Sequence, residues 1–194
     1  MTVGAILLAA GSARRMGSDK LLADLGGRPL AMHAFEAILA AGFARPIVAV
    51  APGSPVAEWV EADARVVESI DHALGMGHSV AAAIHAVPED WTAAIICLAD
   101  MPFVRSETLR MMASKATPDG IVRPSFDGRP GNPVLWGGRH FPALGALSGD
   151  RGGRDIMTAH PPVLIACDDP GVMIDIDTPD ALAEARKNRA SGKL

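Results

Sequence analysis

Two stretches of this chain, residues 3–10 (VGAILLAA) and 93–98 (AAIICL), are apolar at nearly every position. A strand with one wet face alternates apolar and polar residues. A strand apolar throughout needs cover on both faces, which places it inside a layered α/β sheet. Helix-like segments separate such strands: 29–41, ended by Gly42, then 55–62, 77–86 and 106–116, with further strands at 46–51 and 65–68. Ser106 is expected to cap the fourth helix, with Glu107 in its first turn. The second half is less regular. Strands are expected at 121–124 and 133–136, joined by the turn-rich FDGRPGN, then helices at 154–160 and 179–188 flanking a short strand at 172–176. Residues 187–194 read as a frayed polar tail. The pattern predicts a Rossmann-like three-layer α/β domain with a mostly parallel sheet and an antiparallel excursion in the C-terminal half. No repeat or linker divides the chain, so residues 1–194 form a single domain.

The first apolar run ends at Gly11 and is followed at once by Arg14, Arg15, Gly17 and Lys20. A buried strand ejecting into a glycine-bearing, cationic loop suits a polyphosphate, whose oxygens need close backbone N–H groups and fixed positive charge. An ordinary strand with a solvated basic turn is the alternative. The spacing is not that of a P-loop: five residues separate Gly11 from Gly17, and Lys20 comes three residues later. The dinucleotide fingerprint is missing too, because the partial match at Gly75-Met76-Gly77 has Val80 in the third glycine position.

A net charge of −4 argues against a broad nucleic-acid-binding face, so the local basic cluster points to a small anionic ligand. No run approaches the roughly 18 apolar residues of a membrane span. The first apolar run has no basic lead, so a signal peptide is not expected and a cytoplasmic location is. Cys97 and Cys167 lack metal-ligand spacing and are expected as buried, reduced thiols.

Carboxylates mark two further positions. Asp100, in Leu-Ala-Asp-Met-Pro directly after the second apolar run, falls at the sheet's carboxyl edge, where open α/β sheets place ligands. A lone carboxylate there suits Mg²⁺, which takes one or two carboxylates plus phosphate oxygens. A helix-capping role is the alternative, and Ser106 is better placed for it. In Asp175-Ile176-Asp177-Thr178-Pro179, alternation puts both aspartates on one face, and Asp177 or Thr178 can cap the helix opening at Pro179. Asp177 is the favoured partner for Asp100. Glycines at 75 and 77 let a planar ligand approach, with the Ser79 hydroxyl available to a base or ribose; a plain loop and helix start would look the same. The loops 127–133 and 149–154 mix glycine with charge, and the residues alone assign them no ligand.

Together these segments resemble the MobA-like nucleotidyltransferases, most closely the molybdenum cofactor cytidylyltransferases. The family opening LAAGxSxRMGxxK is matched by Leu8-Ala9-Ala10-Gly11, Arg15-Met16-Gly17 and Lys20, with Ala13 in place of the usual serine. GMGxS matches residues 75–79, LADMP 98–102, GxPGxPV 128–134 with Asn132 where histidine is common, GDxGxR 149–154 and DxDTP 175–179. The resemblance implies the nucleotide-diphospho-sugar transferase type of fold. It also implies transfer of a nucleoside monophosphate from an NTP, CTP favoured, to the phosphate of a molybdopterin-type acceptor. Residues 1–104 would mainly bind the NTP and 105–190 the acceptor. Arg15, Lys20 and Asp100 would be catalytic, with Arg15 and Lys20 neutralising triphosphate charge. Leu8, Ala9, Ala10 and Gly11 would contact the nucleotide, with Gly75 and Ser79 near the base. Asp100 and Asp177 would hold Mg²⁺, and Asn132 and Asp150 would face the acceptor. A recipient molybdoenzyme or its chaperone is the implied protein partner. Rival readings are a guanylyltransferase, an NAD(P)H-dependent oxidoreductase of the same superfamily, and a non-catalytic nucleotide-dependent chaperone.

Overall fold

A computed structural model describes residues 1–11, 20–150 and 152–190. Its eight-stranded sheet comprises β1 (Thr2–Ala9), β2 (Ile47–Val50), β3 (Arg65–Glu68), β4 (Trp91–Leu98), β5 (Ile121–Phe126), β6 (Arg129–Pro130), β7 (Val134–Gly137) and β8 (Val163–Ala166). The order is β3-β2-β1-β4-β7-β5-β6, with β8 on β5. β3, β2, β1 and β4 are mutually parallel, whereas β7 runs antiparallel to both β4 and β5. This is the mixed, Rossmann-like sheet with an antiparallel excursion.

The two apolar runs are the two central strands, and alternation divides their side chains between two cores. Ala5, Leu7 and Ala9 face a cluster with Phe35 and Ile38 of α1 (Leu30–Ala40), Val56 and Val60 of α2 (Val56–Val60), and Leu109 and Met112 of α4 (Ser106–Ala113). Ile6 and Leu8 face the other side. There they meet Val80, Ala83 and Ile84 of α3 (Met76–His85), Leu144 of α5 (Phe141–Gly145), and Ile156 and Met157 of α6 (Arg154–Ala159). Each fully buried Leu, Ile or Phe contributes about 1.5–3 kcal/mol. A third cluster joins Leu25, Leu30 and Ile176 to Leu182 and Ala185 of α7 (Pro179–Ala190).

Several expectations need correction. Ser106 is the first residue of α4, with Arg105 at the N-cap position and no side-chain cap of its own helix. The buried Asp169 carboxylate serves that end instead, its Oδ2 accepting from Arg105 N–H at 2.9 Å and from the Thr108 hydroxyl at 2.6 Å. Residues 172–176 form no strand: Pro170–Met173 is a 3-10 turn, followed by unpaired extended chain. The pairing on β5 goes to β8, whose Val163 and Leu164 are exposed and carry no buried-strand signature. Cys97 is a buried free thiol, pushed up by burial to about 12, but Cys167 is only partly buried. α7 continues to Ala190, into the stretch expected to fray. No helix among the described residues is long and apolar enough to cross a membrane.

Candidate active site

The register of β1 on β4 pairs Leu8 with Leu98, so both strands release their chains side by side at the carboxyl edge. Ala99 N–H donates to Leu8 O at 3.1 Å, and Asp100 follows directly. The sheet grows outward from this point in opposite directions, through β2 on one side and β7 on the other, which makes it the topological switch where such sheets take ligands. Across the opening, Ile176 N–H donates to Asp100 O at 2.9 Å and brings Asp177 in from the far end of the chain. Thr178 caps α7, its hydroxyl accepting from Ala181 N–H at 3.1 Å, so Asp177 is not the residue serving that role.

Lys20 lies between the two carboxylates. Its Nζ is 2.7 Å from Asp100 Oδ2 and 2.5 Å from Asp177 Oδ1. The exposures of 13 % for Lys20, 23 % for Asp100 and 44 % for Asp177 grade the cluster from a covered base to an open mouth. Burial alone would depress the Lys20 ammonium, but the charge and hydrogen bond of Asp100, then those of Asp177, hold its pKa above the ordinary lysine value. Lys20 is therefore a fixed cation. Asp175 lies further out; partial burial, then the charges of Asp177 and Asp100, raise its carboxyl above the usual range. Between Asp175 and Asp177, geometry joins Asp177 to the cluster.

The remaining atoms indicate what the cluster can accept. Asp100 Oδ1 is buried with no hydrogen-bond partner among the described residues. A buried carboxylate oxygen without a partner is costly unless a cation or donor completes it. Asp100 and Asp177 are hard oxygen donors, and they fit a divalent ion that takes its remaining ligands from phosphate and water. No group of three or more His, Cys, Asp or Glu among the described residues forms a metal cage. Any ion here would draw ligands from its substrate.

The other expected residues divide into three places. Leu8, Ala9 and Ala10 have buried side chains, so they offer a ligand only backbone, and a side chain at Gly11 would meet nothing within 4 Å among the described residues. Arg15, with Arg14 and Gly17, lies outside the described residues. Gly75, at φ 133°, and Gly77 open α3 against the 148–150 loop: Gly77 N–H donates to Gly149 O at 2.8 Å, and a Cβ on Gly75 would meet Gly149 C at 2.3 Å. Only glycine permits that approach. Ser79 is buried and its hydroxyl lies 3.1 Å from that of Ser69, so its polar group faces the interior. Asp150 is exposed beside Gly75, while Asn132 is tied by its N–H to Val172 O at 2.9 Å. The two expected acceptor residues thus occupy separate loops. Ser69 and Asp169 had no motif to mark them; the pairing of one with Ser79, and of the other with α4, exists only in the folded chain.

A mixed sheet with a cation between two carboxylates at its switch point has the layout of a ligand-binding α/β protein. Residues 5–164 match the MobA-like NTP transferase domain, and the chain belongs to that family. It is 26 % identical to the purine catabolism protein PucB of Bacillus subtilis, over 94 % of this chain and 95 % of that protein. It is also 32 % identical over 117 residues to the bifunctional protein GlmU of Parvibaculum lavamentivorans. That match covers 58 % of this chain, which spans only 26 % of the GlmU length. The fold is shared with Rv0371c from Mycobacterium tuberculosis H37Rv (TM-score 0.81, 24 % identity, 95 % of this chain and 97 % of that one). Rv0371c has also been solved in complex with manganese (TM-score 0.76, 23 % identity, 96 % and 99 % covered).

Proposed function

We propose that this protein transfers CMP from CTP to the terminal phosphate of a molybdopterin-type acceptor carrying Mo, yielding its cytosine dinucleotide form and pyrophosphate. The observation that carries the reading is the Lys20 ammonium held between Asp100 and Asp177 at the switch point. Two polyanions must meet for this reaction, and their repulsion has to be offset before they can align. An acceptor phosphate oxygen bonds to the α-phosphorus as the bond to the β-phosphate oxygen breaks, and the electron pair leaves with pyrophosphate. No covalent nucleophile on the protein is required, so catalysis rests on positioning and charge.

Lys20 supplies a permanent positive charge that can follow the negative charge building on pyrophosphate. The backbone of Ala9 to Gly11 borders the nucleotide and Gly75 lies on the base side, where Ser79 supports the start of α3 from within through Ser69. Arg15, in the same sequence motif as Gly11, would neutralise triphosphate charge. The loops of Asn132 and Asp150 face the acceptor. Asp100 and Asp177 would hold Mg²⁺, which when bound neutralises phosphate charge and polarises the α-phosphoryl group. The CTP preference is drawn from the resemblance, in which guanylyl-transferring relatives carry glycine where this chain has Ala10.

A matrix of nucleotides against phosphorylated acceptors, read by pyrophosphate release, tests the reading. Release is expected with CTP and Mo-molybdopterin, and Asp100→Ala should lower it by about a thousandfold, the scale of a lost charge-stabilising group. Equal or better turnover of GTP would transfer the assignment to guanylyl chemistry. Full activity in Asp100→Ala would remove the metal role altogether.

A further inference from the structure

Two-residue alternation along β5 sends Ile121, Arg123 and Ser125 to one face of the sheet. Ile121 lies there in the cluster that holds Trp136 of β7 and is flanked by Ile156 and Met157 of α6. Gly153, just before Arg154, abuts the Trp136 ring, where a Cβ would meet Cη2 at 2.5 Å. Arg123 therefore lies one step nearer the strand's carboxyl end, on the side roofed by the helix that opens with Arg154. Its half-buried guanidinium is oriented by one bond, Nε donating to Gly131 O at 3.0 Å. Neither Arg123 nor Arg154 has a carboxylate partner among the described residues, and the Nη groups of Arg123 have no acceptor there. Burial, and then the like charge of Arg154, hold the Arg123 guanidinium below the ordinary arginine value. Two neighbouring guanidiniums, one of them partly desolvated, are unfavourable until an anion completes them.

Their position gives that anion an identity. β5 runs parallel to β4, two strand spacings or about 10 Å away, so both strands direct their carboxyl ends to one sheet edge, with Arg123 level with Ile96, four residues before Asp100. The carbonyl that Arg123 holds belongs to the 129–133 loop, and the next residue is Asn132. We propose that Arg123 and Arg154 form an oxyanion subsite for the second substrate, gripping a phosphate on the acceptor while the triphosphate occupies the Lys20 cluster. This rests on the phosphorylated acceptor proposed above. The planar fork of Arg123 is already fixed at Nε, so its terminal nitrogens meet an oxyanion with little ordering left to do. Through Gly131, the same residue links anion binding to the placement of the Asn132 loop.

The test is a calorimetric titration of inorganic phosphate into protein saturated with Mg²⁺ and a non-hydrolysable CTP analogue, so that the triphosphate position is filled. Saturable phosphate binding is expected in the native protein, weakened at least tenfold in Arg123→Gln and in Arg154→Gln. Affinity for the analogue should stay within twofold in both. Arg123→Lys, which keeps charge but not the fork, should fall between. Arg154 is exposed, so its variant carries the test even if Arg123→Gln does not fold. Phosphate binding that is absent in the native protein, or equal in all variants, would overturn the subsite. So would a parallel loss of analogue binding, which would move both arginines to the triphosphate. If the analogue itself does not bind, cytidylyl transfer is refuted, and the phosphate titration without it still decides the subsite.

Discussion

Lys20 and Asp169 show two uses of a buried or half-buried charge. The Lys20 ammonium has two carboxylate partners but leaves Asp100 Oδ1 without one among the described residues, so there the cluster is incomplete. Asp169 is 2 % exposed and complete: Oδ2 accepts from Arg105 N–H and the Thr108 hydroxyl, and Oδ1 from Gly171 N–H at 3.0 Å. An incomplete charge is a place for a ligand; a complete one is a rivet. Asp169→Asn keeps a single acceptor oxygen and turns its NH₂ toward a donor. Urea unfolding of that variant should show a loss of about 2–3 kcal/mol, the scale of a broken hydrogen bond to a buried carboxylate. Stability equal to the native protein would mean that the turn after β8 holds α4 by packing alone.

At the scale of elements, α7 braces the site from both ends. Its start follows Asp177 directly, and its far end is fastened to the segment just after Lys20. Arg186 donates to Asp24 O at 2.9 and 2.7 Å, and Arg189 Nη1 reaches His33 Nδ1 at 3.2 Å. His33 Nε2 in turn lies 2.8 Å from Leu25 O, so the ring donates there and accepts from Arg189. Burial, opposed by the Leu25 bond and aided by the charge of Arg189, lowers the His33 pKa from 6.5. Because the folded value lies below the unfolded one, neutral His33 stabilises the fold fully above 6.5, and that contribution is lost as pH falls through 6.5 toward the folded value. Denaturation curves at about pH 7.5 and about pH 5 should therefore differ more in the native protein than in His33→Asn. An equal difference would show that the clamp does not titrate.

The whole molecule joins residues from both ends of the chain at one sheet edge, since Lys20 and Asp177 are separated by 157 positions. A ligand that completes the cluster binds only the folded chain and must stabilise it. With CTP and Mg²⁺ each at about a hundredfold their dissociation constants, the gain is about 2.7 kcal/mol per independent site, read as a rise in the thermal midpoint. Chelation should reverse the metal's share, and Asp100→Ala should remove it. A midpoint unmoved by either ligand would count against a site at this edge.

Local features of the chain were enough to reveal the central strands and the loops that end them. Continuous apolar runs of this kind suit doubly covered strands, and the glycine at 75 announces a close backbone approach. β8 escaped because an edge strand with Val163 and Leu164 exposed has no buried periodicity to read. Residues 172–176 misled because alternation was present without a neighbouring strand to pair with. Ser106 looked like a cap, but whether a side chain caps depends on where competing acceptors arrive, and Asp169 reaches the Arg105 N–H from 64 positions further along the chain. The amino-acid order by itself thus determined the layers, the switch point and the types of residue available there. Only the tertiary structure decided that Asp177 rather than Asp175 meets Lys20, that Ser79 turns inward to Ser69, and that Arg123 reaches the carbonyl of Gly131 beside Asn132. Propensity and periodicity act over a few residues, whereas ion pairs and desolvation depend on which distant segments the packed core brings together.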